Sequence, residues 1–379
     1  MKISTWGVLA LALSAGGARA AEPVRIGVTT VLSGANYDRG QSEQYGAELA
    51  LQAINEAGGV LGRPVEAFYG DNAGKPPVGV EAMRRLIDQV HVSAVIGALA
   101  TPVTHAIMPI ALEAKVPLII ATSAGQDFVD ASGVGGNAYT FKTIPSDLDI
   151  ARGILNNLRE RGLARVVLVA DEAPFNQMNA NSVAASVEAA RVTLLDRITL
   201  AKGENMPAVF ERIKGKPVDA IVVILGASTE AFFKAFEETG ASLPVAGRVD
   251  LPGALKAVSP EFAAKGGLAN VTSIASFTPA LEIPAVRAFV GAYRAKYGLT
   301  PTQRSYFVHE AMKLVVDAIG DAKSDRPADV EAALLKTKMP SMLGGTYEMD
   351  DHNHPHFPLL ITGLRDGAVR VISSVSGKP

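Results

Sequence analysis

From Val24 onward, short runs of apolar, mostly β-branched residues alternate with longer stretches in which apolar positions recur every three or four residues. The first run, VRIGVTTVL, leads into SEQYGAELALQAINEAGG, where Ala47, Ala50, Leu51 and Ile54 share one helical stripe and Gly58-Gly59 stops the helix. PVEAFYGD ends in Asp71 before a helix opened by Pro76 and Pro77, and VSAVIGAL and VPLIIATS flank TPVTHAIMPIALEAK. After AYTFKTIPSD the cycle restarts with helix LDIARGILNNLRERG, strand ARVVLVAD, helix QMNANSVAASVEAAR, strand VTLLDRITL, helix MPAVFERIKG and strand VDAIVVILG. Near-continuous apolar strands separated by helices predict parallel sheets covered on both faces. The expected fold class is therefore α/β, with two doubly wound parallel-sheet lobes.

The pattern changes at VTSIASFTP. Helical stretches around Ala285 to Tyr297, Gln303 to Ala322 and Ala328 to Lys336 precede the strands GTYEMD, FPLLITGL and AVRVISSV. A terminal segment that holds both helices and new strands cannot simply extend the second half. It is expected to cross back, complete the first lobe and return, so that several chain segments link the lobes.

The N-terminus adds a compartment. Lys2 precedes the apolar run Val8 to Leu13, and small residues lead to Ala18-Arg19-Ala20, so residues 1–20 read as a secretory signal peptide cleaved after Ala20. The run is shorter than the roughly 20 residues that span a bilayer. A periplasmic location is expected. The chain has no cysteine, which excludes disulfides, thiolate chemistry, cysteine-ligated metals and lipid attachment at cysteine. Without Lys2 and Arg19, the 36 basic residues become 34 against 38 acidic ones, a formal charge of −4 in place of −2. That balance offers no footprint for nucleic acid.

Open parallel sheets bind ligands beyond the carboxyl ends of their strands. Here those ends are Ser33-Gly34, Asp71, Ala100-Thr101, Thr122-Ser123-Ala124, Asp171-Glu172, Gly226-Ala227-Ser228 and Val249-Asp250. Hydroxyls and free NH groups beside helix starts suit a carboxylate and are poorly suited to bond breaking. Thr101, Ser123 and Ser228 can equally serve as helix caps. Arg39 lies between the first strand and the first helix, where its guanidinium either clamps a carboxylate or pairs with Asp38 or Glu43. Tyr37 and Phe175 occupy corresponding loops of the two halves and can supply apolar walls.

Other motifs carry less. The match Gly133, Gly135, Ala138 precedes a strand, where a dinucleotide loop would follow one, and neither a Walker loop nor a Gly-x-Ser-x-Gly elbow occurs. DDHNHPHF, Asp350 to Phe357, is the best metal candidate, but its loop-like spacing and Pro355 favour a solvated connection between strands. His91, His105 and His309 are scattered. No cofactor, metal or catalytic residue is expected.

RIGVTTVLSG, GAELALQAINEAGGVLGRPVE, DNAGKPPVGVEAMRRLI, VSAVIGAL and VPLIIATSA resemble, in order and spacing, the periplasmic leucine/isoleucine/valine-binding protein family. The resemblance covers essentially the whole mature chain. It implies a type 1 periplasmic binding protein in which three crossovers join two lobes, here 21–142 plus 277–355 and 143–276 plus 356–379. The lobes close over one small ligand and present it to the inner-membrane permease of an ATP-binding-cassette importer. It also implies that Thr101 and Ser123 to Gly125 hold a ligand carboxylate, and that Asp250, or the Val249 position, holds an α-amino group.

The departures from that family bear on the ligand. Arg39 and Ala227 stand where amino-acid-binding members often carry tyrosines, while Phe175 keeps an aromatic. The expected ligand is a small carboxylate with an apolar or aromatic body and no amino group, with a branched-chain amino acid or amide as the alternative. Readings of another kind are a sensor for a signalling partner and, with least support, a hydrolase using Asp171, Glu172 or a histidine of the Asp350 to His356 segment.

Overall fold

The computed structural model describes residues 22–377, so the expected leader lies outside the described residues. The first half runs β1 (Val24–Thr30), α1 (Tyr37–Glu56), β2 (Val65–Asp71), α2 (Pro76–Arg84), β3 (Val95–Ile96), α3 (Thr101–Ala114), β4 (Leu118–Ile120), α4 (Gln126–Asp130) and β5 (Thr140–Lys142). Its strands form one parallel sheet in the order β2-β1-β3-β4-β5. The stretch VSAVIGAL contributes only Val95–Ile96 to the ladder.

The second half runs α5 (Asp147–Glu160), β6 (Arg165–Asp171), α6 (Pro174–Ser186), β7 (Thr193–Leu200), α7 (Met206–Ile213), β8 (Ala220–Ile224), α8 (Thr229–Glu238), β9 (Val245–Arg248), α9 (Leu251–Ala257), α10 (Pro260–Ala264) and β10 (Val271–Ala275). Its parallel strands repeat the same order, β7-β6-β8-β9-β10. In both lobes the order reverses at the first strand, and the crevice that reversal opens is where doubly wound sheets bind ligands.

The chain then returns. Helices α11 (Pro284–Tyr297), α12 (Gln303–Ala322) and α13 (Pro327–Leu334) precede a small hairpin of β11 (Met339–Pro340) and β12 (Thr346–Tyr347), and β13 (Pro358–Arg365) and β14 (Ala368–Ser376) close the chain. The apolar face of α12, with Val308, Met312, Val315 and Ile319, packs on Val24, Ile26 and Val28 of β1 and so completes the first lobe. Gly46 permits this close approach, because a Cβ there would collide with the Ser305 backbone. β13 and β14 instead join the second sheet antiparallel to β10 and to each other, through a two-residue Asp366-Gly367 turn with positive φ at both positions. The second sheet is therefore mixed rather than purely parallel.

Three segments, 143–146, 276–283 and 348–357, pass between the sheets. Residues from each, or beside them, meet in one apolar cluster: Ile144, Phe277, Leu281, Met342 and Leu360 pack with Phe289, Tyr306 and Phe307. The Phe277 and Tyr306 rings stack with centroids 4.7 Å apart. The Asp350 to Phe357 segment is a correction to the sequence reading, because it forms the third crossover and Asn353 and His354 are buried. Asn353 Nδ2 donates to the Ala138 and Thr140 carbonyls at 3.0 and 3.1 Å, so side chains that look solvated in the sequence are satisfied by backbone from the first lobe. No helix among the described residues is long and apolar enough to cross a membrane.

Candidate functional site

A cavity of about 510 Å³ lies between the lobes at the carboxyl ends of the strands. On the first lobe, Val31, Asn36 and Arg39 follow β1, Leu99 to Thr101 follow β3, and Thr122 to Ala124 follow β4. The second lobe contributes Ile150, Phe175 and Arg248, the crossovers contribute Ile144, Pro145 and Ser276, and α12 adds Gln303, Arg304 and Phe307. The first turns of α1, α3, α6 and α12 therefore all reach the cavity, where positive helix ends and free NH groups favour an anion. Gly40 sets the position of α1, since a Cβ there would overlap the Val31 carbonyl and push Arg39 away.

Six of the residues singled out from the sequence line this cavity: Arg39, Thr101, Thr122, Ser123, Ala124 and Phe175. Tyr37, Ala227 and Asp250 do not. Tyr37 is exposed, with its hydroxyl accepting from Gln41 Nε2 at 2.6 Å on its own helix. Ala227 sits in an exposed loop that Asp171 ties back, Asp171 Oδ2 accepting from the Gly226 NH at 2.6 Å. Asp250 is exposed at the N-cap position of α9, past the end of β9, where the side chain turned toward the cavity belongs to Arg248.

The hydroxyls divide by partner. Ser123 Oγ donates to the Ala98 carbonyl at 2.9 Å and lies 3.1 Å from Thr104 Oγ1, so it braces the wall. Thr101 opens α3 without a side-chain capping bond. Thr122 stands close to Glu43, yet neither Thr122 Oγ1 nor Glu43 Oε1 completes a hydrogen bond. Glu43 is buried behind the wall and accepts from Thr30 Oγ1 at 2.5 Å. Burial raises its pKa to about 7, with the two threonines and the Arg304 charge pulling the other way.

Among the described residues, three arginines and no carboxylate line the cavity. Arg248 Nη1 donates to Asn179 Oδ1 at 2.6 Å and lies 3.4 Å from Asp147 Oδ1, and its guanidinium carbon sits 5.2 Å from the Phe175 ring centroid, a cation–π distance. Burial lowers the pKa of Arg248 against the pull of Asp147, and burial likewise raises that of Asp147. Burial and then the neighbouring Arg39 charge lower the pKa of Arg304, Glu43 pulls the other way, and Arg248 adds a weaker push. The side chains of Arg39 and Arg304 make no hydrogen bond or ion pair to described residues. Arg248 was one strand position short of the Val249-Asp250 end read from the sequence. Arg304 carried no local signal, since it opens a helix far along the chain.

A second charged group ties two crossovers together. Asp149, in the first turn of α5, accepts at Oδ2 from His354 Nε2 at 2.7 Å and pairs at Oδ1 with His356 Nδ1 at 3.1 Å, and His356 Nε2 reaches Asp350 Oδ2 at 3.0 Å. His354 Nδ1 lies 2.9 Å from the Lys142 carbonyl. Burial opposes ionisation of Asp149, but bonds from His354, His356 and Ser146 outweigh it and hold the carboxyl well below the usual range. Asp149 and then Asp350 push His356 up to about 9 against burial. The ligand atoms of Asp149, His354 and His356 lie within 4.8 Å of one another, as in a metal site, but every imidazole nitrogen already has an oxygen partner.

Comparisons with known proteins agree with the fold. A Leu/Ile/Val-binding protein homolog of Brucella melitensis is 25% identical over 374 residues, 95% of this chain and 97% of that one. Among solved structures, the branched-chain amino acid transporter substrate-binding protein LivJ of Streptococcus pneumoniae, in complex with isoleucine, is 26% identical with a TM-score of 0.71, covering 94% of this chain and 100% of that one. A solute-binding protein of an R. palustris ABC transporter, in complex with benzoate, shares the fold at 19% identity and a TM-score of 0.68, covering 94% of this chain and 97% of that one. These relatives and neighbours are substrate-binding proteins of transporters rather than enzymes. With residues 23–368 matching the family described as Periplasmic binding protein, the chain belongs to that family, as a substrate-binding protein of the kind that serves ABC transporters.

Proposed function

We propose that this protein is the extracytoplasmic receptor of an ATP-binding-cassette importer for a small organic acid that has an apolar or aromatic body and lacks an α-amino group. The observation that carries this reading is the charge of the cavity, whose lining includes Arg39, Arg248 and Arg304 and no carboxylate. An α-ammonium group would there meet cations and no counter-charge, whereas a carboxylate meets donors from both lobes. Val31, Leu99, Ile144, Phe175 and Phe307 supply the apolar surface for the ligand's body.

In this reading the leader is removed after Ala20, and units 21–142 plus 277–355 and 143–276 plus 356–379 hinge about the three crossovers. The ligand favours closure because it contacts both lobes only in the closed state, and an inner-membrane permease recognises that state. The names of the relatives, and the isoleucine bound to the Streptococcus protein, favour a branched-chain amino acid as the second reading.

A thermal-shift panel on the mature protein, unfolded and refolded to remove carried-over ligand, separates the two. A ligand at about 100 times its Kd adds roughly 2.7 kcal/mol of stability. Stabilisation by benzoate or by aliphatic acids but not by leucine, isoleucine or valine is the expected outcome. Stabilisation by those amino acids alone would overturn the reading.

A further inference from the structure

The reading of the cavity as an acid-binding site leaves a charge imbalance. One carboxylate forms a bidentate pair with one guanidinium. Three guanidinium groups face this cavity, and two of them, on Arg39 and Arg304, have no partner among the described residues. The acids nearby do not balance them. Asp147 faces Arg248 at 3.4 Å, and Glu43 lies behind Thr122 and Arg304 without an ion pair to either arginine. A ligand with a single negative charge would leave at least one unpaired cation inside a closed, partly dehydrated site, and that costs free energy.

The arginines also have a direction. Arg39 opens α1 and Arg304 opens α12, two helices that pack on each other in the first lobe, and Arg248 ends β9 of the second lobe across the cavity. The lining that accompanies them is mixed: Leu99, Ile150, Phe175 and Phe307 are apolar, and Thr101, Thr122, Ser123 and Ser276 bring hydroxyls. Cations on both lobes, with apolar side chains among the lining, match a molecule with an anionic group at each end and a hydrocarbon or aromatic spacer. A cavity of about 510 Å³ holds a body of that size.

We propose that the physiological ligand is a dianion, in the first instance a dicarboxylate with an apolar or aromatic spacer, that bridges the lobes with one end on Arg39 and Arg304 and the other on Arg248. This inference rests on the acid-receptor reading above and specifies it. A dianion of this form gains its second ion pair only when the lobes meet, so the second charge is coupled to closure.

Isothermal titration calorimetry of the refolded protein with matched pairs tests it: benzoate against benzene-1,4-dicarboxylate, and hexanoate against hexanedioate, with leucine as the amino acid control. The expected result is that one or both diacids bind about 30-fold more tightly than the monoacid of the same skeleton, the size of one additional charge-assisted pair. Arg248→Met reduces that ratio by about tenfold, whereas Arg304→Met weakens monoacid and diacid together. Arg248→Gln, whose amide can still donate toward Asn179, serves should Arg248→Met fail to fold. Monoacids binding as tightly as diacids would overturn the dianion inference and leave the acid-receptor reading standing. Tight leucine binding with no acid bound, or no binding by any member of the panel, would overturn both.

Discussion

Two groups of charged side chains lie where the lobes meet, and they are built in opposite ways. At the crossovers, Asp149, His354, His356 and Asp350 form a chain in which each carboxylate faces an imidazole and each imidazole nitrogen faces an oxygen. In the cavity, Arg39 and Arg304 face open space, and Arg248 alone has protein partners. Buried charge is tolerated where it is paired. A group that is complete within the protein serves the fold, and one that is left incomplete is what the proposed ligand would complete. The difference also explains why the histidine-rich segment, the stronger candidate for chemistry in the sequence, is the weaker one in the structure.

The largest effect expected from this contrast is at Asp149. Asp149→Ala strands two imidazoles and removes the tie between the first and third crossovers, so denaturant unfolding should show a loss of about 3–5 kcal/mol, typical of breaking a buried pair. A loss under about 1 kcal/mol, the range of an exposed pair, would mean that the crossovers hold without the cluster and would remove the distinction.

Next comes pH. His356 is held at about 9 in the folded protein against an ordinary value of 6.5, so the folded state binds its proton more tightly than the unfolded chain does. Its contribution is fully present below pH 6.5 and is lost as pH rises through about 9, amounting at most to about 3 kcal/mol. Stability of the wild type should therefore fall between those limits, and His356→Gln should flatten that part of the profile. Identical profiles for the two proteins would place the proton elsewhere.

The smallest effect is the sharpest. Arg304→Met keeps an apolar stem and removes a cation that makes no hydrogen bond or ion pair among the described residues and has two like-charged neighbours, Arg39 and Arg248, against the pull of Glu43. The ligand-free protein should be as stable as wild type or more stable by about 0.5 kcal/mol. A loss above about 1 kcal/mol, beyond what substitution of an unpartnered surface group gives, would show that Arg304 is structural after all and that the cavity is as complete as the crossovers.

Much of this architecture could be read along the chain. The apolar runs gave β1, β6 and β8 close to their observed limits, because a strand buried on both faces leaves a continuous local signature, and the partly exposed edge strands β2 and β7 were legible as well. The change of pattern after VTSIASFTP precedes α12, whose buried stripe packs on β1. The antiparallel pairing of β13 with β10 was not legible, because an apolar strand does not state which neighbour it joins. The same limit applied to the site. Arg39 and Thr101 follow strands and could be found by that rule, whereas Arg304 opens a helix in the return segment and reaches the cavity only because α12 packs along α1.

By itself, then, the sequence determined the alternation of strands and helices, the two lobes and the strand ends around which a ligand would gather, all of which follow from hydrophobic periodicity over a few neighbouring residues. The tertiary structure decided which charges are paired. Whether Asp149 meets His354, and whether Arg304 stands beside Arg39 without an ion pair, depends on segments far apart in the chain brought close together, and the energy of a charge is set by what surrounds it in space rather than by its neighbours in sequence.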